Sequence, residues 1–310
     1  MTSTRPRRVR RQAARAGVLV LAAGMLVVGS APGAAQQRFL TGQAVMPVFE
    51  GWERNPDGSF NLVFGTMNRN WAEEIDIPIG RANNLEPGGP DQGQPTRFLP
   101  RRNRFLFRVR VPADFGDNEV VWTLTSPNGE TKRAYATLHP DYFIDDLVLQ
   151  RNNGAPASDE LLVNEAPVLK VEGGITREVA AGQPLKLRAR VEDDGLLTPA
   201  ALPPTDPERP GRVTKNAARG LRLAWFVYRG AGEVTFEPEQ FRAWEDTREG
   251  SDSPWAPGWT VPPVPPDATW EVQATFSEPG TYVLRCLAHD GGLTAAEDIT
   301  VVVEGSPGRR

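Results

Sequence analysis

The sequence predicts an all-β protein with two antiparallel β-sandwich domains behind a cleaved export signal. Residues 280–303 carry the clearest strand pattern, because Tyr282, Leu284, Cys286 and Ala288 stand at alternate positions, as one buried face of a strand requires. Asp290-Gly291-Gly292 supplies a turn before a second alternating run at 299–303. The chain also contains 29 prolines and 30 glycines, and no internal stretch has a convincing helical period longer than two turns. These three observations favour strands joined by turns.

Residues 1–35 have the three parts of an export signal peptide. Six arginines precede an apolar run at 17–29, and small residues end at Ala34 and Ala35, so we expect cleavage near Ala35. No later stretch approaches the roughly 20 apolar residues of a membrane-spanning helix. The mature chain is therefore expected in the periplasm or outside the cell, with no membrane insertion after signal cleavage.

Charge and cysteine content limit the possible partners and cross-links. The chain has 35 basic and 39 acidic residues, and six basic residues leave with the signal, so the mature chain carries a formal charge of −10. This balance argues against a nucleic-acid partner. The one cysteine, Cys286, forbids an internal disulfide, and its position on the apolar face of a strand predicts a buried, unreactive thiol.

Residues 36–151 are predicted to form the first sandwich. Two strand-like runs flank Asn55-Pro56-Asp57-Gly58, where proline and glycine suit a hairpin turn. A later strand at 104–111 should bury Phe105, Phe107, Val109 and Val111 on one face. Between these strands, residues 71–100 lose all periodicity and contain five prolines, which predicts a long loop of a kind that is often functional.

The opposite face of the strand at 104–111 carries Arg104, Arg108 and Arg110. Three arginines on one face could hold a carboxylate or a phosphate. We favour a solvated face that keeps the sheet from pairing with other chains.

Residues 152–166 are predicted to be a linker, because they have mostly polar or short side chains apart from Leu161-Leu162-Val163. We expect this apolar cluster to fasten the linker to one domain. The two domains should then fold separately and have a loosely fixed orientation, since an acidic, proline-rich surface offers little apolar area for an interface.

Residues 167–304 are predicted to form the second sandwich, followed by a tail at 305–310. Insertions at 196–220 and 237–270 interrupt its strands. The order of GQPLKLRARVEDDG, LRLAWFVYRGAGEVTF and the 280–303 hairpin resembles the PKD-like branch of immunoglobulin-like repeats in exported bacterial proteins. The resemblance implies an immunoglobulin-like fold with Trp225 in the core, Tyr282 in a tyrosine corner, and Leu284 where antibody domains carry their second cysteine.

The first half resembles a group of uncharacterised exported bacterial proteins. The shared wording comprises FEGW at 49–52, NPDG at 55–58, FG at 64–65, NRN at 68–70 and DQGQPTRFLP at 91–100. This resemblance implies no activity.

Few catalytic groups are available in the sequence. The chain has two histidines, His139 and His289, and no GxSxG, HExxH, GxGxxG or P-loop spacing. A pair of carboxylates on separate strands stays open, because its members need share no local motif. We expect no enzyme activity and no cofactor.

Three aspartates at strand ends are candidate calcium ligands: Asp193, Asp194 and Asp290. Oxygen ligands converging from two loops could bind calcium. Aspartates in turns also cap their own backbone, and for this reason we do not expect the protein to need a metal.

The second insertion carries tryptophans that could contact a ligand, Trp244, Trp255 and Trp259. Exposed indoles suit sugars or protein partners. The alternative, which we favour, is a lid over one face of the sandwich, because large indoles left in water form a costly patch.

These features favour a non-catalytic exported binding or scaffolding protein with an unknown protein or glycan partner outside the cytoplasm. Two alternatives stay open. One is a carbohydrate-binding accessory protein, and the other is a hydrolase with carboxylates in the long loops.

Overall fold

A computed structural model describes residues 39–155, 157–199, 219–240 and 261–305. The predicted signal peptide and most of both insertions lie outside these ranges. The described chain is built of strands, as predicted, and it forms two immunoglobulin-like sandwiches. No helix in the described ranges is long and apolar enough to cross a membrane.

The first sandwich contains eight strands. They are β1 (Val45–Arg54), β2 (Phe60–Asn68), β3 (Ile75–Asp76), β4 (Asn83–Glu86), β5 (Arg97–Phe98), β6 (Arg101–Val111), β7 (Val120–Thr125) and β8 (Thr131–Ala136). One sheet has the order β1-β2-β6 and the other β4-β7-β8, with β3 and β5 as a short pair. The predicted hairpin turn is present, since the Asn55 amide donates to Ser59 O at 2.8 Å and Gly58 has a φ of 86°.

Aromatic rings fill the core between these sheets. The rings of Phe64 and Phe107 stack at 5.2 Å, and Trp122 packs edge-on against Phe107 at 5.0 Å. The Trp122 indole N–H donates to Asn83 Oδ1 at 3.0 Å, which satisfies the polar end of a fully buried side chain.

Strand β6 departs from the predicted alternation. Between the pairs Phe64–Phe107 and Thr66–Asn103, only Gly65 of β2 faces residues 104–106 of β6, so the strand bulges. Phe105 has a φ of 52° and leaves the core that was predicted for it. A Cβ on Gly65 would lie 2.5 Å from Asn103 O, so only glycine fits opposite the bulge.

The predicted loop at 71–100 is ordered and contains β3, β4 and β5. Buried asparagines hold it to the sandwich. Asn68 Nδ2 donates to Phe98 O at 3.0 Å, and Asn83 Nδ2 donates to Ile77 O at 3.0 Å and to Pro95 O at 2.8 Å. These bonds satisfy loop carbonyls that a buried irregular segment would otherwise leave unpaired.

The second sandwich also contains eight described strands. They are β9 (Val168–Val171), β10 (Thr176–Ala180), β11 (Pro184–Glu192), β12 (Arg222–Arg229), β13 (Val234–Glu237), β14 (Thr269–Phe276), β15 (Gly280–His289) and β16 (Thr294–Glu304). Its sheets have the orders β10-β16-β15-β12 and β13-β14-β11-β9. All pairs are antiparallel except β10 with β16.

The core of the second sandwich contains the residues predicted for it. Trp225, Tyr282, Leu284 and Cys286 are buried in one cluster. The Tyr282 hydroxyl donates to Glu278 O at 2.9 Å, four residues upstream, which is the geometry of a tyrosine corner. Burial raises the pKa of the Cys286 thiol, so this cysteine is the inert core residue that was expected.

The segment between the sandwiches is more structured than a linker. It contains the helix α1 (Asp146–Asn152) and a 3-10 helix at Asp159–Leu162. Leu161 is 3% exposed and packs with Ala155 and Leu197, whereas Leu162 and Val163 are 71% and 66% exposed. One residue of the predicted apolar cluster therefore fastens the segment, and the other two stay at the surface. The predicted domain boundaries stay a prediction.

Candidate functional site

The two sandwiches meet along one end of β12. Residues 91–97 of the first sandwich run beside this strand, where the Thr96 amide donates to Tyr228 O at 3.1 Å and the Tyr228 hydroxyl donates to Gly93 O at 2.6 Å. The Gly230 amide donates to Thr96 Oγ1 at 3.2 Å. The DQGQPTR part of the long loop therefore pairs with an edge strand of its neighbour.

Two arginines reinforce this contact. Arg229 makes a two-point ion pair with Asp91, at 3.0 and 2.8 Å, and the hydrogen bond from Arg229 lowers the pKa of that carboxyl. Arg97 donates to Asp76 within its own sandwich at 2.8 Å, and across the interface to Ala231 O at 2.9 Å.

Arg285 forms a third connection. Its guanidinium makes a two-point ion pair with Asp298, both bonds at 2.7 Å, and stacks 3.6 Å from the centroid of the Tyr228 ring. The same group donates to Leu106 O in the bulge of β6. Burial raises the pKa of the Tyr228 phenol to about 12, so the ring is a neutral partner for this cation.

Apolar side chains from both sandwiches pack together at two further places. Leu99 packs with Phe226, Tyr228 and Leu287. A second cluster joins Val63 of β2 and Leu149 of α1 to Leu293 of the second sandwich. The expectation of little apolar contact between the domains is therefore wrong, because edge-strand hydrogen bonds, ion pairs and buried apolar contacts combine there. Both sandwiches belong to one compact unit that begins at Phe39.

The candidate calcium ligands take part in this joint. Asp290 Oδ2 accepts from Asn164 Nδ2 at 2.9 Å, and its Oδ1 accepts from the amides of Gly292 and Leu293. Asp194 Oδ2 accepts from the Glu165 amide at 2.9 Å. These two carboxylates cap a turn and hold the connecting segment.

The third candidate, Asp193, caps the Gly195 amide at 2.9 Å, and burial raises its pKa. Across the described ranges, no group of three or more His, Cys, Asp or Glu side chains is placed to hold a metal ion. That the protein does not need a metal stays a prediction.

Both histidines accept a backbone hydrogen bond at Nδ1. His139 accepts from the Asp141 amide at 3.3 Å, and His289 accepts from the Gly291 amide at 2.8 Å. A catalytic triad needs the reverse arrangement, in which Nδ1–H donates to a carboxylate. Neither histidine therefore has the geometry of a triad histidine in the described residues.

His289 makes stability depend on pH. Burial, and secondly Arg222, hold its pKa well below the ordinary 6.5. Below pH 6.5 the imidazole of His289 binds a proton in the unfolded chain but stays neutral in the folded chain. The free energy of unfolding therefore decreases as the pH is lowered towards the folded-state pKa, by up to about 1.4 kcal/mol per pH unit. Urea unfolding of the parent and His289→Asn between pH 7 and 5 measures this, and we expect a steeper loss in the parent.

The comparison with the variant isolates the histidine. Burial raises the pKa values of Asp290 and Asp193, so these two groups increase the free energy of unfolding as the pH is lowered, opposite to the effect of His289. Both aspartates are present in the parent and in the variant, so the comparison is not affected by them. Parallel pH profiles for parent and variant would show that His289 is protonated in the folded state as easily as in the unfolded state.

A groove opens between the sandwiches beside this joint. One part has a volume of about 610 Å³ and a second part about 380 Å³. They share Phe105, Arg108, Asn153 and Thr294, so they are adjacent, and together they are here called the interdomain groove. Its walls come from β1, the bulge of β6, α1 and the β15–β16 hairpin.

Two ion pairs within the protein involve four of the nine charged side chains that line the groove. Arg108 makes a two-point ion pair with Glu53 at 2.8 and 2.7 Å, and Arg285 pairs with Asp298. Asp145 accepts from the Val148 amide at 2.8 Å and caps the start of α1.

The arginine face of β6 follows the same pattern. Arg110 pairs with Asp57, and Arg102 pairs with Glu50 at 2.6 Å. Arg108 and Arg110 are exposed, as expected for the predicted solvated face, although their acidic partners on β1 and its turn were not foreseen. Whether this face holds an anion stays open.

Phe143 is a groove residue that the sequence reasoning missed. Its ring is 5.0 Å from the Trp52 ring, yet the residue is 46% exposed. The Ile144 amide donates to Trp52 O at 2.9 Å, which fixes this segment against β1. An available signal was the run Tyr142-Phe143-Ile144, which is too apolar for the loop around it.

The predicted ligand-contact residues Trp244, Trp255 and Trp259 lie outside the described residues. Their role stays a prediction, as does the choice between a binding surface and a lid.

No family model and no curated protein sequence matches the chain. Among solved structures, a conjugative transposon lipoprotein from Bacteroides eggerthii matches at 10% identity over 44% of this chain and 95% of its own, with a TM-score of 0.24. A titin M10 and obscurin-like 1 complex matches at 14% identity over 47% and 99%, with a TM-score of 0.23. Fibronectin(III)-like modules of Clostridium thermocellum CbhA match at 8% identity over 84% and 95%, with a TM-score of 0.22. Likeness of this degree assigns no function.

Proposed function

We propose that this chain is an exported, non-catalytic binding protein whose ligand occupies the interdomain groove. The observation that carries the proposal is a space of about 610 Å³, with an adjacent one of about 380 Å³, at the junction of two sandwiches. Ligand sites are commonly clefts of about 300–1,000 Å³ at domain interfaces. The predicted export signal at residues 1–35 supports a location in the periplasm or outside the cell.

The floor of the groove supports the same proposal. Phe105 lines both parts of the groove and has a φ of 52°, which is unfavourable for a residue with a side chain. Strained residues and bulges concentrate at functional sites, because surrounding structure must hold them in place. Here the Arg285 contact to Leu106 O provides part of that support.

Three of the five groove carboxylates are engaged by other groups of the protein, which favours binding over hydrolysis at those three; the other two are Asp146 and Glu165. Of the five that line the groove, Glu53 and Asp298 are paired with arginines and Asp145 caps α1. A glycosidase needs one carboxylic acid and one carboxylate facing each other across a substrate. Carboxylates already bound to guanidinium groups or helix amides are poorly suited to proton transfer.

The test is to block the groove chemically. Cys286 is buried, so a cysteine introduced at Thr294 can be labelled selectively with a bulky maleimide. Thr294 is exposed and lines both parts of the groove, whereas Thr281 is exposed at the start of β15 and lines neither part. Retention of the labelled mature chains by a cell-envelope fraction of the source organism is then compared.

We expect labelled Thr294→Cys to lose retention, and labelled Thr281→Cys to keep it. Equal retention of the two labelled proteins would show that the groove is not the binding site.

A further inference from the structure

We infer that the ligand of the interdomain groove is an uncharged oligosaccharide, with one sugar ring packed against Phe143. This inference rests on the proposed function. It uses a different part of the molecule from the tryptophans of the second insertion.

Two arginines of the groove are already held in ion pairs. The two-point pairs Arg108–Glu53 and Arg285–Asp298 already neutralise two of the four guanidinium groups that line the groove. Of the other two, that of Arg54 lies over the Phe60 ring. An anionic or cationic ligand would have to compete with these pairs, and breaking a partly buried pair is costly. An uncharged ligand avoids this competition and can use the remaining donors and acceptors.

Uncharged polar side chains also line the groove. Asn153 donates Nδ2 to Gly292 O at 2.8 Å and has an amide oxygen as well, and Thr294 contributes an exposed hydroxyl. Asn164 is 8% exposed, and its Oδ1 has no hydrogen-bond partner among the described residues. A buried acceptor normally has a partner, and a water bridging this shielded oxygen to the groove would supply one. Hydroxyl groups, which both donate and accept, match such a mixed set.

One aromatic ring of the groove is partly exposed. Phe143 lines the groove, is 46% exposed, and is supported from behind by Trp52 at 5.0 Å. A ring held this way offers a flat apolar face without losing conformational freedom on binding. The C–H face of a sugar ring is its complement, since the rest of the sugar still reaches polar groups.

A peptide fits these observations less well. Its side chains and termini are often charged, and four of the charged side chains in the groove are already paired with one another. Peptide binding is therefore an outcome that would contradict the inference.

The test measures binding of the mature chain by titration calorimetry. The probes are cello-, xylo-, manno- and chito-oligosaccharides, an acidic oligogalacturonate, and uncharged peptides of similar length. We expect at least one uncharged oligosaccharide to bind with an affinity insensitive to salt.

Variants then locate the site. Phe143→Ala should weaken that binding about tenfold, the upper end of what an aromatic contact provides. Phe143→Leu, which keeps an apolar contact with Trp52 but removes the ring face, should show a similar loss in a fully folded protein. Tyr142→Ala is the matched control, because Tyr142 is 51% exposed but does not line the groove, and it should leave affinity nearly unchanged.

Three results would overturn the inference. They are no binding of any uncharged oligosaccharide at millimolar concentration, binding of only the acidic saccharide or the peptides, and equal affinity of the parent and both Phe143 variants. If the blocked Thr294→Cys protein loses envelope retention but saccharides do not compete for that retention, the proposed function is supported and the saccharide is excluded as the ligand. Failure of the block itself would remove both.

Discussion

Trp225→Ala is expected to lower the free energy of unfolding by about 3–5 kcal/mol, the usual cost of removing a large aromatic side chain from a core. Trp225 is 1% exposed and lies opposite Cys286 in the β12–β15 register, inside the cluster that also contains Tyr282. Its neighbour β15 is paired with strands on both sides, so the surroundings can close the cavity only partly. Urea unfolding at neutral pH measures the change. A variant that melts within a degree or two of the parent would show that Trp225 does not support the core.

Trp122 provides a matched comparison from the first sandwich. Its N–H donates to Asn83 Oδ1, whereas the Trp225 N–H has no partner among the described residues. Substitution of Trp122 by phenylalanine leaves a buried acceptor unpaired, so it should cost about 1–3 kcal/mol more than the same substitution at Trp225.

Arg285→Ala is expected to lower the free energy of unfolding by about 2–3 kcal/mol. Removal of one partner from a fully buried ion pair costs about 3–5 kcal/mol, and Asp298 is 37% exposed, so water can partly resolvate it. The variant also loses the stacking on Tyr228 and the bond to Leu106 O, both at the interface. Chemical denaturation of the mature chain checks the value.

Arg110→Ala is the control for this substitution. Arg110 also pairs with an aspartate, but both side chains are more than half exposed, at 63% and 56%. Such surface pairs contribute little, so we expect a change within about 0.5 kcal/mol. Equal losses for the two variants would mean that the interface adds nothing to the Arg285 contacts.

The sandwich architecture could be predicted because strand periodicity and turn chemistry are local. The alternation from Tyr282 to Ala288 identifies one face of β15, and the tyrosine corner depends on a contact only four residues away. The Asn55–Gly58 turn is equally local. Each of these features is specified within a few residues.

The bulge in β6 could not be predicted from alternation. Phe105, Phe107 and Val109 keep a perfect period of two in the sequence, yet Gly65 of a different strand permits three residues to oppose one. The glycine was a visible signal, but its partner strand and register were unknown. The bulge in turn places Phe105 in the groove.

The interface between the sandwiches was missed for a related reason. Asp91 and Arg229 are 138 residues apart, and neither position differs in the sequence from an ordinary surface charge. The same holds for the carboxylates of Asp194 and Asp290, which the sequence offered as calcium ligands and which hold the connecting segment. Partners that are distant in sequence decide these roles.

The proposed ligand site requires that the two sandwiches are held as one body around the interdomain groove. Spin labels on exposed strand positions, Arg133→Cys in β8 and Lys186→Cys in β11, measure this directly, since Cys286 is buried and will not be labelled. Pulsed electron spin resonance should give one narrow distance distribution that does not change with salt, and the distribution should broaden when Arg285→Ala is added. A broad distribution in the protein without Arg285→Ala would show that the sandwiches move independently, and that the groove is not a fixed site.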